Sequence, residues 1–416
     1  MTPEIKQRIE RIRRGEQPEG YKKTKAGILP ADWDLHMLGE CLSRVEKPVE
    51  VKPNELYTQI GIRSHGKGLF YKEPVAGAAL GNKAVFWIEP DCFIVNIVFA
   101  WEQAIGKTTQ SEVGMIGSHR FPMYRPVNDT VDIDYLISYF LTKRGTDILE
   151  AASPGGAGRN KTLGQDRFLK SKIILPPIEE QRKIAAILTT QDKVIELKER
   201  RLAEKQRQKK YLMQQLLTGK KRLPGFSGEW SFLKAKEIFQ NVSDKDHNGD
   251  LPVLSSTQDK GIVPRDEVDI DIKYDTCSLV NYKKVSKGNF VISLRSFQGG
   301  IEYSTYTGLV SPAYTVLSSR KEISDGYYKQ FFKSTDYINR LNVAVYGIRD
   351  GKQISYEDFG RLRIPYPPIK EQDAIAEVLS TADCEIDLLQ QDIEQEKQKK
   401  KALMQLLLTG IVRVKV

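Results

Sequence analysis

One long stretch occurs twice in this chain of 416 residues, and no other feature constrains the fold as strongly. The segment PPIEEQRKIAAIL, which begins at Pro176, returns 191 residues later as PPIKEQDAIAEVL at Pro367 and aligns without a gap. The two copies close on LMQQLLTG and LMQLLLTG, which end at Gly219 and Gly410. A repeat of this length indicates a structural unit that the chain uses twice.

Each copy is predicted to form one long helix, at residues 176–219 and 367–410. Apolar residues recur at spacings of four and three, the heptad pattern of a coiled coil. Paired prolines are tolerated at a helix start, and glycine commonly follows a helix end. The apolar seam positions are Ile184, Leu188, Ile195, Leu202, Leu212 and Leu216 in the first copy and Ile375, Leu379, Ile386, Leu389, Ile393, Leu403 and Leu407 in the second. One helix cannot bury so narrow a stripe, so we expect the copies to pair antiparallel, aided by unlike charges.

Two blocks with largely different sequences precede the helices, at residues 27–175 and 220–366. Both open with a proline, an acidic residue and a tryptophan, which are Trp33 and Trp230. Both continue with short β-rich runs, one helix-like segment and a glycine-containing loop. Residues 1–26 form a short helix and linker, and residues 411–416 form a tail. The predicted fold class is α+β: two mixed α/β globular domains, separated by two long helices in an antiparallel coiled coil, with an internal pseudo-two-fold repeat.

The composition is that of an ordinary globular protein with a basic charge balance. Lys and Arg total 64 against 54 Asp and Glu, a formal charge of +10, which favours a polyanion such as nucleic acid or an acidic membrane surface, although many basic proteins bind neither. The first residues lack the apolar core of a signal peptide, and no stretch is long enough for a membrane span. We therefore expect a cytoplasmic protein. The four cysteines are scattered and the four histidines are not clustered, so no structural zinc site is expected.

No stretch of the sequence fits an active site. The run AIGKTT around Lys107 lacks the first glycine of a phosphate-binding loop. The tetrapeptides LPPI and YPPI have neither the Asn or Asp at the first position nor the aromatic residue at the last position with which amino-methyltransferases hold a base. Neither a metal-binding carboxylate cluster with a lysine nor a Ser-His-Asp arrangement can be assigned. We expect no catalytic residue, no metal and no cofactor.

Several loops combine cations, amides and hydroxyls, the groups that contact phosphates and base edges in DNA grooves. An ordinary polar loop has a similar composition, but the occurrence of such loops in both blocks favours a shared role. The candidate DNA contacts are Arg63, Ser64, His65, Lys67, Lys107, Thr108, Arg159, Asn160 and Lys161 in the first block and Ser256, Thr257, Gln258, Lys260, Arg295, Gln298, Arg349, Lys352 and Gln353 in the second.

The order of these parts resembles the specificity subunit of type I restriction-modification systems. The resemblance rests on the P-P-I-x-E-Q helix starts at Pro176 and Pro367, the heptad helices that end LLTG, and the tryptophan-led block before each helix. It implies two target-recognition domains, each reading one half of an asymmetric double-stranded DNA site, with a coiled coil that spaces them. It also implies that two methyltransferase (modification) subunits dock on the coiled coil, that restriction subunits join further out, and that this chain carries no catalysis.

Two other interpretations remain open from the residues alone. A coiled-coil adaptor could hold two protein ligands without touching DNA, and its basic charge would then be incidental. An NTP-driven enzyme could use the GKTT run at residues 106–109. The coiled-coil register, the DNA sequence and the individual base contacts are not predicted.

Overall fold

The computed structural model describes residues 3–24, 27–81, 84–155, 161–268, 276–294, 296–344 and 354–414. They form two compact units, of which the first comprises the described part of residues 1–197 and 393–416 and the second that of residues 198–392. The two long helices run from Ile178 to Leu216 and from Ile369 to Leu407, and each has 39 residues. The predicted long helices are therefore confirmed, and each unit contains a part of both.

Short helices and strands make up the rest of both units. The α-helices are α1 (Pro3–Arg13), α2 (Leu38–Cys41), α3 (Ile133–Phe140), α4 (Lys143–Ala151), α5 (Gln165–Leu169), α6 (Ile178–Leu216), α7 (Ala235–Ile238), α8 (Ser296–Gly299), α9 (Asp325–Phe331), α10 (Thr335–Ala344), α11 (Tyr356–Arg361) and α12 (Ile369–Leu407). The 3₁₀ helices are Gly77–Leu80, Ala100–Glu102, Gln110–Glu112, Arg265–Glu267 and Thr276–Asn281.

The strands are short, and most of them pair with only one neighbour. In the first unit they are β1 (Tyr21–Thr24), β2 (Gly27–Pro30), β3 (Asp34–Met37), β4 (Leu42–Val45), β5 (Leu56–Tyr57), β6 (Ile60–Ile62), β7 (Leu69–Tyr71), β8 (Val75–Ala76), β9 (Val85–Trp87), β10 (Phe93–Val95), β11 (Ile105–Lys107), β12 (Ile116–Ser118), β13 (Met123–Pro126) and β14 (Lys172–Leu175). In the second unit they are β15 (Ser231–Lys234), β16 (Phe239–Val242), β17 (Leu254–Thr257), β18 (Gly261–Pro264), β19 (Lys283–Val285), β20 (Phe290–Ile292), β21 (Glu302–Tyr303), β22 (Gly308–Val310), β23 (Thr315–Ser319) and β24 (Arg363–Tyr366).

The first unit is built on a four-stranded antiparallel sheet with the order β11-β10-β13-β4. In the central strand, Phe93 pairs with Lys107 of β11 and with Tyr124 of β13. The Phe93 ring contacts the rings of Tyr124, Phe140 and Phe168, with centroids 5.5 to 6.5 Å apart. The same core includes residues from the start of α6 and the end of α12. The long helices are therefore part of the globular core.

The second unit repeats this plan with different residues. Its sheet has the order β16-β23-β20-β21, so these strands correspond to β4, β13, β10 and β11. Phe290 of β20 takes the place of Phe93, and its ring centroid lies 5.6 Å from that of Phe239 and 5.3 Å from that of Phe332. This core includes the end of α6 and the start of α12. The predicted internal repeat therefore extends from the helices into the globular parts.

The helix-like segment predicted in each block consists of two helices. In the first unit the Thr142 hydroxyl caps α4 by accepting a hydrogen bond from the Gly145 amide at 3.2 Å. In the second unit the Ser334 hydroxyl accepts from the Tyr337 amide at 3.3 Å, at the start of α10. A hydroxyl that caps a new helix competes with continuation of the old one, and apolar periodicity does not reveal this.

In each unit the two long helices pack antiparallel along the predicted seam. In the second unit Lys198 lies 2.8 Å from Asp392, and Lys205 lies 2.5 Å from Glu385, so rising numbers on α6 meet falling numbers on α12. In the first unit the Gln191 side chain donates to the Glu396 carboxylate at 2.7 Å. Every predicted apolar seam position is buried or half-buried. The seam and its unlike charges are confirmed, and these contacts define the register.

One ion pair occurs at equivalent positions in both units. In the first unit Asp192 of α6 pairs with Lys400 of α12 at 2.5 Å. In the second unit Lys209 of α6 pairs with Asp383 of α12. Asp383 is the repeat copy of Asp192, and Lys400 is the copy of Lys209. Because these side chains are partly exposed, each pair contributes about 0 to 1 kcal/mol. The apolar ends of the seam therefore contribute most of the pairing energy.

The second glutamate of PPIEEQ and the glutamate of PPIKEQ each bind an arginine that follows the end of the other long helix. Glu180, at the start of α6, is fully buried and accepts Nε and Nη2 of Arg413, both at 2.7 Å. Glu371, at the start of α12, is equally buried and accepts Nε and Nη2 of Arg222 at 2.5 and 2.6 Å. Arg222 follows the end of α6. Arg413 is the repeat copy of Arg222 and follows the end of α12. We call Glu180 with Arg413 the first clasp and Glu371 with Arg222 the second clasp.

The tryptophan that opens each block binds the same clasp. Trp33 Nε1 donates to Glu180 Oε2 at 3.2 Å, and Trp230 Nε1 donates to Glu371 Oε2 at 2.9 Å. Each buried carboxylate is therefore satisfied by a bidentate guanidinium and an indole, the condition under which a buried charge is tolerated. The clasp fixes the start of the globular part to both helices.

The glutamine after each clasp glutamate holds a third element. Gln181 Oε1 accepts from the Asp132 amide at 2.9 Å, and Gln372 Oε1 accepts from the Ser324 amide at 2.9 Å. Asp132 and Ser324 occupy the N-cap positions of α3 and α9. The glutamine Nε2 atoms donate to the carbonyl of the first proline of the segment, at 2.9 and 2.8 Å. The glutamate and glutamine at the start of each long helix thus connect that helix to the tryptophan and to the start of a short helix, α3 or α9.

The first clasp contains an additional carboxylate. Arg413 Nη1 and Nη2 donate to the two Asp32 oxygens at 2.9 and 2.8 Å. This hydrogen bonding lowers the pKa of Asp32, and hydrogen bonding to Glu180 and Asp32 raises the pKa of Arg413. A carboxyl with a lowered folded-state pKa stabilises the fold above its ordinary pKa, and this stability is lost as the pH falls through the folded value. The ion pair between Asp32 and Arg413 therefore contributes its stability at neutral pH and loses it in acid.

We predict that Arg413→Leu destabilises the first unit by about 3 to 5 kcal/mol, because Glu180 would remain as a buried carboxylate without its cation. Urea unfolding of the full chain measures the loss. The control is Arg182→Leu, which removes an exposed ion pair with Glu179 and should cost less than about 1 kcal/mol. Adding Glu180→Leu to Arg413→Leu should recover much of the loss. Equal losses for the two single variants would contradict the clasp.

Candidate nucleic-acid interface

In the first unit the turn between β6 and β7 lies against the 3₁₀ helix Ala100–Glu102. The His65 amide donates to the Glu102 carbonyl at 2.8 Å, and the Gly66 amide donates to the Gln103 carbonyl at 2.9 Å. The sequence placed only the turn among the candidate DNA contacts. The structure therefore joins it to a segment that sequence reasoning did not single out.

The conformation of this turn is closely determined. His65 has a φ of 61°, in the left-handed region that residues other than glycine seldom adopt. Gly66 has a φ of 62°, which favours glycine, and a Cβ there would lie 2.5 Å from Cδ2 of Leu141, so a larger residue would also displace that side chain. The Ser64 hydroxyl donates to the Glu102 carboxylate at 2.9 Å. The side chains that this turn exposes to solvent are those of Arg63, His65 and Lys67.

Two cations beside this turn have partners within the protein. The Arg63 guanidinium lies 5.0 Å from the Phe70 ring centroid and donates to a carbonyl of β7 at 2.6 Å. Lys161 Nζ lies 2.6 Å from Glu150, whose pKa it lowers by hydrogen bonding, and 5.4 Å from the Trp101 ring centroid. We call residues 63–68, residues 100–103 and Lys161 the first loop cluster.

Thr108 does not reach the surface, so the prediction that it contacts DNA is wrong. It is fully buried, and its hydroxyl donates to the Glu89 carbonyl at 2.7 Å and accepts from the Cys92 amide at 3.0 Å. Lys107 is half-buried and pairs with Asp134 at 2.7 Å. The start of the GKTT run lies on β11, where a sheet takes the place of the phosphate-cradling loop that an NTP site requires.

In the second unit the turn between β17 and β18 lies against α8. Lys333 Nζ donates to the Gln258 carbonyl at 3.1 Å and to the Gly299 carbonyl at 3.0 Å. The Thr257 hydroxyl closes the turn by accepting from the Lys260 amide at 3.1 Å. The structure thus brings together two loops that the sequence singled out separately. We call residues 257–261, α8 and Lys333 the second loop cluster.

The remaining candidates are half-buried, exposed or outside the described residues. Ser256 is half-buried on β17, so little of its side chain faces solvent. The side chains of Gln258, Lys260 and Gln298 are exposed. Several candidates from both blocks fall outside the described residues and stay predictions: Arg159, Asn160, Arg295, Arg349, Lys352 and Gln353.

Nothing in the described ranges suggests a reaction centre in either unit. Within them, no group of three or more His, Cys, Asp and Glu side chains could hold a metal ion. No helix in that part of the chain is long and apolar enough to cross a membrane. The first loop cluster instead presents exposed cations and the imidazole of His65, and the second presents the exposed Lys260 with the amides of Gln258 and Gln298. Such groups suit hydrogen bonding to a polyanion and to base edges.

Comparison with known proteins identifies the family. The family model described as "Type I restriction modification DNA specificity domain" matches residues 89–206 and 228–398, well over half of the chain. The chain belongs to this family. The resemblance found in the sequence is therefore confirmed for both halves. The family assigns DNA recognition to this chain, and it does not support the adaptor alternative.

Individual relatives match over almost the whole chain. The MjaVIII specificity subunit of a type I restriction enzyme of Methanocaldococcus jannaschii is 24% identical over 432 residues, which cover 95% of this chain and 97% of that protein. The crystal structure of the HsdS subunit from Thermoanaerobacter tengcongensis covers 92% and 98% of the two chains at 19% identity, with a TM-score of 0.51. The S subunit of a type I restriction-modification system from M. genitalium covers 90% and 96% at 13% identity, with a TM-score of 0.53. These structures support the fold.

The key supporting residues of this specificity subunit were not among the sequence candidates. These residues are Lys333, Glu102 and the two clasp arginines. They support other parts of the fold by hydrogen bonds and do not lie in the polar loops that the sequence singled out. Arg222 and Arg413 could have been found, because they recur at the same offset as the helices. Lys333 carried no such signal, since Leu141 stands at the corresponding break between helices in the first unit. It is detected only by its contacts.

Proposed function

We propose that the two globular parts of this specificity subunit read the two unlike halves of one asymmetric DNA site, one half each. One observation supports this above all. The units share their sheet order, their clasp and their seam ion pair, yet their loop clusters differ in sequence and in how they are held. A common frame that carries two different sets of loops suits a target with two different halves.

We assign the recognition domains to residues 27–175 and 220–366 and the spacer to residues 176–219 and 367–410. Residues 1–26 and 411–416 flank them. A helix of 39 residues is about 58 Å long, and DNA rises about 3.4 Å per base pair. The long helices are thus long enough for an unread spacer between two half-sites that are more than one turn of DNA apart.

Within each recognition domain we assign roles by chemistry. Lys67 and Lys260 bind phosphates, which supply affinity and salt dependence. The planar groups of Arg63, Gln258 and Gln298 are suited to bidentate contacts with guanine or adenine edges. The protein works in the cytoplasm, together with modification subunits that methylate adenine and restriction subunits that cleave DNA.

Replacing residues 27–175 with the corresponding domain of another specificity subunit tests the two-reader proposal. We expect one half of the methylated DNA sequence to change and the other half to stay the same, because each domain reads independently. Sequencing of methylated adenines in cells that contain the matching modification subunits measures the result. A swap of residues 220–366 is the matched control and should change the opposite half. A change in both halves after either swap would contradict the proposal.

Two exposed leucines support docking of two modification subunits. Leu197 of α6 is 63% exposed and Leu388 of α12 is 65% exposed, and both lie outside the seam. Leu388 is the repeat copy of Leu197, 191 residues later. A single exposed leucine is common on protein surfaces, but its recurrence at the same place in both copies favours the same protein partner at each. We propose that each leucine lies within the docking surface for one modification subunit.

Leu197→Lys and Leu388→Lys should each remove one modification subunit, and the double variant should remove both. A lysine at the centre of an apolar contact leaves a desolvated charge there. Native mass spectrometry of the co-expressed subunits counts the bound partners. Gln390→Lys, at an exposed polar position of α12, is the control and should retain two. Two modification subunits on both single variants would exclude these leucines as docking centres.

A further inference from the structure

Lys333 joins two loops that are far apart in the sequence. It lies in the break between α9 and α10, outside every stretch that composition singled out. Its Nζ donates to the carbonyls of Gln258 and Gly299 and to the carboxylate of Glu302. An ammonium group has three donors, and these three acceptors occupy all of them. The ammonium is thus saturated within the protein.

The two loops also touch directly at this point. A Cβ at Gly299 would lie 2.7 Å from Cγ of Gln258, so the Gln258 side chain packs against bare backbone. The exposed side chains of Gln258 and Gln298 flank this contact, one on each loop. The distance between these two side chains therefore depends on how far apart the turn and α8 are held. Lys333 binds one backbone carbonyl of the turn and one of α8.

The first loop cluster shows a different solution at the same place in the fold. Leu141 directly precedes the capping Thr142, as Lys333 directly precedes the capping Ser334. Leu141 packs on the turn at Gly66, and backbone hydrogen bonds join that turn to residues 102 and 103. This break between helices thus supports the neighbouring turn in both units, by packing in the first and by an ammonium group in the second.

Building on the proposed function, we propose that Lys333 is a positioning residue for the second recognition domain: it fixes the turn 257–261 relative to α8 and so sets the spacing of the side chains that read the second half-site. It does so without contacting DNA. Recognition groups must be held within about 0.5 Å of their productive geometry, which loops achieve only with such support. Removing Lys333 therefore loosens base discrimination at one half-site and leaves the other half-site as it is.

Glu302 is the counter-charge in this arrangement and can be separated from it experimentally. It is almost fully buried, and among the described residues its Oε2 has no hydrogen-bond partner. Burial raises the pKa of Glu302, and the charge and hydrogen bond of Lys333 oppose that shift. Because desolvation penalises the charged form, a neutral glutamine there avoids part of the cost of burying a carboxylate. Glutamine also keeps an acceptor for Lys333.

The test compares Lys333→Met, Glu302→Gln and the double variant in the full chain with its modification subunits. Binding is measured for the cognate duplex and for duplexes with one base changed in either half-site. We expect Lys333→Met to reduce discrimination at the second half-site about tenfold or more, and to leave discrimination at the first half-site within about twofold. Glu302→Gln should keep both. Lys329→Met, at an exposed position on α9, is the matched control and should keep both.

The double variant separates positioning from stability. In the double variant no buried carboxylate remains without its cation. The urea midpoint of this variant should therefore return towards that of the unaltered chain, while discrimination at the second half-site stays low. Recovered discrimination in the double variant would overturn the positioning role and attribute the effect to buried charge. Full discrimination in Lys333→Met would overturn it as well. An unaltered chain that shows no discrimination at either half-site would instead refute the proposed function.

Discussion

The buried glutamate at the start of each long helix organises this fold. Glu180 and Glu371 each bind an arginine that follows the end of the other helix and a tryptophan that opens a globular part. Three segments that are remote in sequence therefore meet at one carboxylate in each unit. A buried carboxylate is costly without its partners, so alternative pairings of the helices are penalised. The clasp thus selects one register where the weak seam ion pairs alone would not.

The frame and the proposed recognition surface are under different physical constraints. The frame needs one carboxylate, one guanidinium and one indole in fixed places, and both units meet this need with the same residue types. The loop clusters need only rigid support, which can be achieved in several ways. The first uses backbone hydrogen bonds at His65 and Gly66, and the second uses the ammonium group of Lys333. Sequence divergence between the blocks is compatible with a shared architecture for this reason.

The long helices, their antiparallel pairing and the repeat could be predicted, because heptad spacing and a gapless offset are properties of the sequence alone. The clasp was missed because Glu180 and Glu371 were interpreted only as parts of a helix start. The breaks at Thr142 and Ser334 were missed because a hydroxyl cap leaves the apolar period unchanged. Thr108 was chosen for its composition, yet strand pairing places its hydroxyl in the core. Composition identifies polar loops, but only the fold shows which polar groups are already satisfied.

We propose that one chain carries two independent readers on a frame that repeats within it. Sequencing of methylated adenines in cells with and without this chain, in the presence of its modification subunits, tests it most directly. We predict an asymmetric motif of two short parts around an unread spacer of fixed length, present only when the chain is present. A continuous motif, or methylation that does not depend on the chain, would contradict it.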